Sequence, residues 1–445
     1  MIGEITTLVH TLQQTLPPAR LITDLDALRG YPIDGLLPGL VTIPNTVEEA
    51  AQIIAAAHEQ HLTVMARGGG SQTNLGGLAE RIDVLLQTTR LDSLLEHEGP
   101  DLTCQVEAGI TLATLQEHLR TQGQRLSLDP PGASETTIGG ILATNASGPK
   151  RLRYGTARDL VIGMRVVQAD GEIARSGGRV VKNVAGYDLN KLYIGSLGTL
   201  GIIVEANFKL HPLPQSERTL LLSYARVEDA MQTVIKLMGS LLTPSALELI
   251  DTGAANDMAD LFGVSLPTSG YTLAVNVEGS RATIARQIEE TRSLARQEHA
   301  LLGEEMEGPE QDHFWDTVRE HTQGTLTCKT SVLLTQVVPY LTMLQEICNR
   351  YQLESASIAH AGNGVIYTEL RPGDATSRLL AAITELRRYL DVLGGVLVIE
   401  RCPVEMKRLL SIWGEPKGDF RMMQSLKQQF DPQGTFVRGR FLGGL

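Results

Sequence analysis

A chain of 445 residues, 42% hydrophobic and 20% charged, is globular and too long for one ordinary core, so two domains are expected, with or without an appended segment. Its formal net charge of -12 excludes a general nucleic-acid surface, which needs Lys and Arg in clustered excess. Cys104, Cys328, Cys348 and Cys402 are scattered without ligand spacing, which argues against iron-sulfur and structural zinc sites and for reduced thiols of a cytoplasmic protein. No apolar run approaches the roughly 18 residues that span a bilayer, so any membrane contact is expected only through a partner.

In chain order, Thr46 followed by Glu49 has the form of a capping box, and Ala50, Ile53, Ile54 and Ala57 fall at helical spacing, which predicts a helix over 46–60. A short β-rich strand, Leu62 to Ala66, then runs into Arg67-Gly68-Gly69-Gly70-Ser71. Further strands are predicted at Ile82 to Gln87 and Thr103 to Gly109, and an amphipathic helix at Leu112 to Gln122, ended by Gly123. Leu160 to Ala169 and Glu172 to Ser176 read as a hairpin around Asp170-Gly171. Ile202 to Leu210 is a strand, closed by His211-Pro212-Leu213-Pro214, a run suited to a linker.

Beyond that linker the pattern becomes strands separated by longer helices. Thr219 to Tyr224, Val227 to Met238, Tyr271 to Val277 and Ala282 to Gln297 form one round. Leu326 to Leu334, Gln336 to Tyr351, Ser357 to Ala359, Val365 to Leu370, Ala375 to Leu390 and Val396 to Glu400 form another. Such rounds predict an α+β domain with an antiparallel sheet covered on one face. The two rounds are too dissimilar in sequence to count as an internal repeat.

The chemistry concentrates in two small-residue segments. Three glycines after a strand can turn several backbone N–H groups toward one centre, an anion-binding nest that suits a pyrophosphate. Alone, that loop reads equally as a plain turn, and it matches neither GxGxxG nor the GxxxxGK[ST] phosphate loop. The second segment, Asp129 to Val204, is dense in Gly, Ala, Ser and Thr and carries its own basic cluster of Lys150, Arg151, Arg153, Arg158 and Arg165. By itself the cluster reads as a solvated face; beside the small residues it points toward anion binding.

The runs Thr137-Ile138-Gly139-Gly140-Ile141-Leu142-Ala143-Thr144-Asn145-Ala146-Ser147-Gly148 and Arg153-Tyr154-Gly155-Thr156-Ala157-Arg158-Asp159 resemble the FAD-binding domain of the vanillyl-alcohol oxidase and p-cresol methylhydroxylase type. Together with Gly186-Tyr187-Asp188-Leu189-Asn190-Lys191-Leu192 and Gly195-Ser196-Leu197-Gly198-Thr199-Leu200-Gly201-Ile202-Ile203, they are similar to the FAD-binding subunits of glycolate oxidase, the E type more than the D type. The resemblance implies a two-subdomain FAD-binding domain over 1–215, an α+β cap with an antiparallel sheet over 216–405, and a segment over 406–445 that returns to the first domain. It implies that Arg67, Gly68, Gly69, Gly70 and Ser71 hold the FAD pyrophosphate with Asn74 nearby. Pro130, Thr137, Gly139, Gly140, Ala143, Asn145 and Gly148 would line the path to the isoalloxazine, and Tyr154, Gly155 and Ile202 would close around the ring and adenosine.

The implied activity is oxidation of a short 2-hydroxyacid to its 2-oxoacid, with electrons leaving to an iron-sulfur subunit beside a sister flavoprotein subunit. Two alternatives stay open: a non-catalytic flavin-carrying subunit of that complex, and a stand-alone flavin oxidase for another alcohol. The Arg67 loop holds no histidine, so the flavin is expected to be non-covalent. Related subunits carry a second histidine after a His-x-Gly-x-Gly run and a later Glu-His-Gly. Here the first reads His360-Ala361-Gly362-Asn363-Gly364-Val365-Ile366-Tyr367 and the second Glu400-Arg401-Cys402-Pro403, so no metal is expected and His360 reads as a packed histidine. The C-terminal Gly439-Arg440 is kept while the Asn and Pro usual before it are not. Lys182 and Tyr187 are polar candidates with surface placement as the default, and no catalytic base is assigned.

Overall fold

Thr46 Oγ1 accepts the Glu49 N–H and starts the helix Val47–Glu59, but the reciprocal half of the predicted capping box is diverted. The Glu49 carboxylate instead accepts from the Asn45 N–H and from Arg20, the latter at 2.5 and 2.9 Å. That Arg20 hydrogen bond is the main reason Glu49 sits below the usual carboxylate range, against the opposing effect of burial. A depressed carboxylate contributes stability that is present above its unfolded pKa and lost as pH falls through the folded value. Arg20→Met is therefore expected to lower the melting temperature at neutral pH and to flatten its decline on acidification, which thermal melts across the carboxylate range would show.

The computed structural model describes residues 2–178, 187–321, 324–371 and 376–445. The chain divides into two compact units, one comprising Met1–Ser147, Thr156–Leu213 and Lys407–Leu445, the other Gly148–Gly155 and Pro214–Met406.

The first unit holds two sheets. One runs Leu21–Ile22, Leu40–Thr42, Val84–Gln87, Val64–Arg67, with the last three strands parallel. Its two central strands, Leu40–Thr42 and Val84–Gln87, are buried on both faces, and Val64, Val84 and Leu86 pack under Ile53, Ile54 and Ala57. The other sheet is antiparallel, in the order Leu94–Glu98, Thr103–Glu107, Ile202–Lys209, Val161–Val167, Ile173–Gly177. The helices Leu112–Arg120 and Ile138–Thr144 supply Leu115, Leu119, Ile141 and Leu142 to the core against one face of this sheet. The hairpin forms as predicted, with Gly171 at φ +87°. His211–Pro212, read as linker, pairs instead as a short strand with Gln124–Arg125. Two residues suffice for that, since Pro212 has no N–H to give a longer ladder.

The second unit is built on one eight-stranded antiparallel sheet: Leu302–Met306, Ser216–Tyr224, Tyr271–Gly279, Ala246–Ile250, Glu354–His360, Val365–Arg371, Thr327–Ser331, Val396–Arg401. Numbered within each group of four, the strand order is 4-1-3-2 followed by 2-3-1-4. The two rounds are thus one topology used twice and joined edge to edge between Ala246–Ile250 and Glu354–His360, a likeness that the sequences have lost. Leu220, Leu221 and Leu222 are all buried, so the sheet is covered on both faces there rather than on one. The extra cover is the helices Thr252–Phe262 and Pro309–His321, whose Met258, Phe314, Trp315 and Val318 cluster with Leu221, Ala246, Ala274 and Ile358. Among the described residues no helix is long and apolar enough to cross a membrane.

Candidate functional site

Where the strand Val64–Arg67 ends, the first unit opens into a cleft. Arg67, Gly68, Gly69, Gly70 and Ser71 form one wall, and Thr137, Gly140, Ala143 and Thr144 another. The two walls touch through main chain. A Cβ on Gly68 would lie 2.1 Å from Thr137 Oγ1, and one on Gly69 would lie 1.7 Å from the Glu135 carbonyl oxygen. These glycines are thus required by the contact between two segments of the protein, a reason the sequence could not show. Ser71 Oγ and Thr136 Oγ1, 3.0 Å apart, tie the same two segments.

Gly70 has φ +90° and turns the loop, and its missing Cβ leaves room for the Arg67 guanidinium, which also lies 5.3 Å from the centre of the Tyr31 ring. Among the described residues the N–H groups of Gly68, Gly69 and Gly70 have no acceptor. Donors left unengaged at a cleft wall suit an anionic oxygen.

The glycine-rich second segment contains a helix, Ile138–Thr144, at a position where no element is predicted from the sequence. Thr137 caps it, its Oγ1 accepting the Gly140 N–H at 3.2 Å. Gly140, Ala143 and Thr144 share one helix face and line the cleft. Gly139 faces the other way, its N–H donating to the Ala108 carbonyl at 2.7 Å and its Cα packed too close to Ala108 for a side chain. Asn145 ends the helix at φ +52°, and its Oδ1 is buried with no partner among the described residues.

The other predicted residues sit elsewhere. Asn74 is off the cleft wall and offers its carbonyl to Lys407 Nζ. Pro130 is buried outside the wall, and Ile202 is a core residue, 2% exposed, packed with Val64 and Val84. Gly148, Tyr154 and Gly155 belong to the second unit. Lys182 lies outside the described residues, and Tyr187 is exposed. Sequence reasoning missed Leu75, Leu197 and Arg440, which complete the cleft, and Asp34 and Lys407, which hold Arg440 in place. Only the retained Gly439-Arg440 pair signalled any of them.

Two members of the basic cluster, Lys150 and Arg165, are engaged by carboxylates. Lys150 Nζ pairs with Glu217 at 2.9 Å and with the buried Glu278 at 2.8 Å, Tyr154 donates to Glu278 at 2.5 Å, and Arg165 pairs with Glu205 at 2.5 Å.

In the second unit, Lys329 and Tyr367 are directly opposed across two strands. Lys329 Nζ donates to Glu400 at 2.9 Å and lies 5.4 Å from the centre of the Tyr367 ring. Burial pulls the ammonium pKa down, but Glu400 and Tyr367 outweigh it and the pKa is raised. His360 is buried, as expected, with Nδ1 2.7 and 2.8 Å from the two oxygens of Glu248; a carboxylate only accepts, so Nδ1 carries the proton. Asp257, His321 and Glu369 offer atoms within 4.8 Å of one another, a spacing open to a metal ion, but Arg371 pairs with both carboxylates and supplies the positive charge there.

Residues 38–177 match the FAD binding domain family, and residues 213–441, more than half of the chain, match the C-terminal domain family of the FAD linked oxidases. The chain belongs to the family of FAD linked oxidases. It is 29% identical over 434 residues to the glycolate oxidase subunit GlcD of Bacillus subtilis (strain 168), covering 95% of this chain and 92% of that one. It is 28% identical to a D-lactate dehydrogenase of Archaeoglobus fulgidus, covering 90% of each. The oxidase also shares the fold of p-cresol methylhydroxylase, with a TM-score of 0.79 at 15% identity over 98% of this chain and 96% of that one. Against the 4-ethylphenol oxidase of Gulosibacter chungangensis the TM-score is 0.75 at 17% identity, over 98% and 97%. The oxidase is therefore a flavoprotein whose cofactor is FAD, with the p-cresol-methylhydroxylase-type α+β fold that the sequence motifs implied.

Proposed function

We propose that this oxidase converts a short 2-hydroxyacid to the 2-oxoacid, holds FAD non-covalently in the cleft of its first unit, and passes electrons to an iron-sulfur partner beside a sister flavoprotein subunit. What carries the substrate class is similarity that runs nearly end to end with a glycolate oxidase subunit and a D-lactate dehydrogenase. Bound FAD supplies a two-electron acceptor for the hydride of the α-carbon.

The chain's own residues have separable tasks in this reading. The N–H groups of Gly68, Gly69 and Gly70, with Arg67 and Arg440 at the walls, face the pyrophosphate charge. Gly140, Ala143 and Thr144 give a helix face low enough for a flat ring to lie close. The second unit is the substrate domain. Lys329 has three N–H donors, of which Glu400 engages one, and another suits the carboxylate of the acid. Lys329→Met is expected to raise KM for the acid about tenfold or more while the protein keeps its flavin, as steady-state kinetics and the visible spectrum would report.

Anaerobic mixing with glycolate or D-lactate tests the reading directly: loss of the flavin's visible absorbance supports it. The carrier-subunit reading is favoured by Tyr367 and Arg401 standing where related subunits have histidines, and unchanged absorbance with glycolate and D-lactate would support that one. Peroxide released in step with substrate, without any partner, would point to a stand-alone oxidase. Acid precipitation is expected to leave the flavin in the supernatant; a yellow pellet would refute non-covalent binding.

A further inference from the structure

Three stretches far apart in the chain of the first unit meet at one buried cluster of charge. Asp34, Lys407 and Arg440 have side chains only 1%, 1% and 5% exposed. Lys407 Nζ lies 2.8 and 2.9 Å from the two Asp34 oxygens, and Arg440 Nη1 donates to Asp34 Oδ2 at 2.8 Å. The two cations also collect four carbonyls from one loop: Lys407 takes that of Asn74, and Arg440 takes those of Thr73, Leu75 and Gly77.

Four carbonyl dipoles pointing at one place repel each other unless positive charge sits between them, so the loop holds this shape only while the cluster keeps a net positive charge there. Two buried cations in turn need an anion between them, and Asp34 is the one supplied. Asp34 itself stands at φ +49°, in the left-handed region, within a turn closed by two hydrogen bonds of 2.9 Å between Ile33 and Leu36. A non-glycine residue persists there only where its surroundings hold it. The cluster keeps one positive charge in excess, and Arg440 lines the cleft, so the surplus is presented where a pyrophosphate would neutralise it.

We infer that Asp34 is a positioning residue for the cofactor: by anchoring Lys407 and Arg440 it fixes the Thr73–Gly77 loop and sets the charge that the cleft offers to FAD. This rests on the assignment of the cleft to FAD. Lys407 is the first residue of the chain segment that returns to the first unit, so that segment is a working part of the cofactor site.

Trp413 reports on the cluster, because its Nε1–H donates to the Arg440 carbonyl at 3.0 Å and its ring lies 5.4 Å from that of Phe441. The chain has two tryptophans, so a Trp315→Phe background leaves Trp413 alone. Apo protein of the full chain is titrated with FAD and the quenching of Trp413 is followed. Asp34→Asn, which buries two cations without an anion, is expected to raise the Kd for FAD about 30-fold or more. Asp34→Asn combined with Lys407→Met returns the cluster to one net positive charge and is expected to regain at least about fivefold of that loss, which a purely steric role would not allow. Should Asp34→Asn fail to fold, Lys407→Met alone carries the test, with weakened FAD binding and a shifted Trp413 emission expected. FAD affinity within about twofold of the parent in either single variant, or no recovery in the double, overturns the inference. Gly140→Val, which fills the cleft and leaves the cluster intact, separates the two claims: undiminished FAD binding there overturns the assignment of the cleft itself.

Discussion

Gly69→Ala is expected to purify without colour and to bind added FAD about tenfold to a hundredfold more weakly than the native chain, the equivalent of about 1–3 kcal/mol of overpacking. The reason is a single contact. The new Cβ would lie 1.7 Å from the Glu135 carbonyl oxygen and 2.8 Å from its carbon, distances no methyl group tolerates, and both partners are main chain that cannot rotate away. The loop carrying the Gly68–Gly70 donors must then move away from the segment carrying Thr137, and the 3.0 Å contact of Ser71 with Thr136 breaks with it. Gly418→Ala is the matched control: it has no neighbour within 4 Å and no left-handed φ, so its effect is expected to stay within about 0.5 kcal/mol. The ratio of flavin to protein absorbance after purification, and a titration with FAD, read both variants. A Gly69→Ala protein as yellow as the native one would show that the close approach of these two segments does not shape the cofactor site.

The contrast between Gly69 and Gly139 shows what a sequence can and cannot disclose here. Small residues around the cleft were legible because backbone has to come close to something. Which something was not: Gly68 and Gly69 abut Thr137 and Glu135, Gly139 abuts Ala108, and Gly140 and Ala143 turn toward the open space. Periodicity located Val47–Glu59, Val227–Met238 and Val337–Tyr351 within a few residues, since each carries an apolar stripe at helical spacing. It missed Ala246–Ile250 because all five residues are buried, Glu248 included, and such a strand shows no alternation. The carboxylate partners of Lys150 and Arg165 were not legible because Glu217, Glu278 and Glu205 lie 40 to 128 positions away, and charge balance at that range leaves no local trace. Asp34 and Arg440 are more distant still, 406 positions apart, and read singly each is an ordinary surface charge.

Lys150→Met should destabilise the second unit by about 3–5 kcal/mol, the range expected when one partner of a buried ion pair is removed. Lys150 lies in the short segment Gly148–Gly155, which belongs to the second unit although its neighbours in sequence belong to the first. Within that segment the helix Arg151–Tyr154 packs on the strand Ala246–Ile250, and Leu152 reaches the main chain at Gly362, where any Cβ would meet it at 2.6 Å. Those apolar contacts are few, so the polar ones decide the docking. Glu278 has a side chain 2% exposed, and the Tyr154 hydroxyl bonded to it at 2.5 Å supplies a dipole but no charge. With methionine at position 150 the carboxylate loses its ammonium at 2.8 Å, so it must either take up a proton or drag the segment toward water. Changing Glu278 to Gln in the same protein removes the stranded charge, and the double variant is expected to recover at least about 1 kcal/mol relative to Lys150→Met. Urea unfolding in a Trp413→Phe background, where Trp315 reports the second unit alone, measures both variants. If Lys150→Met unfolds at the urea concentration of its parent, the ion pair is not what fastens this segment. If the double variant is no more stable than the single, the cost lies in lost packing of the lysine stem rather than in an unpaired carboxylate.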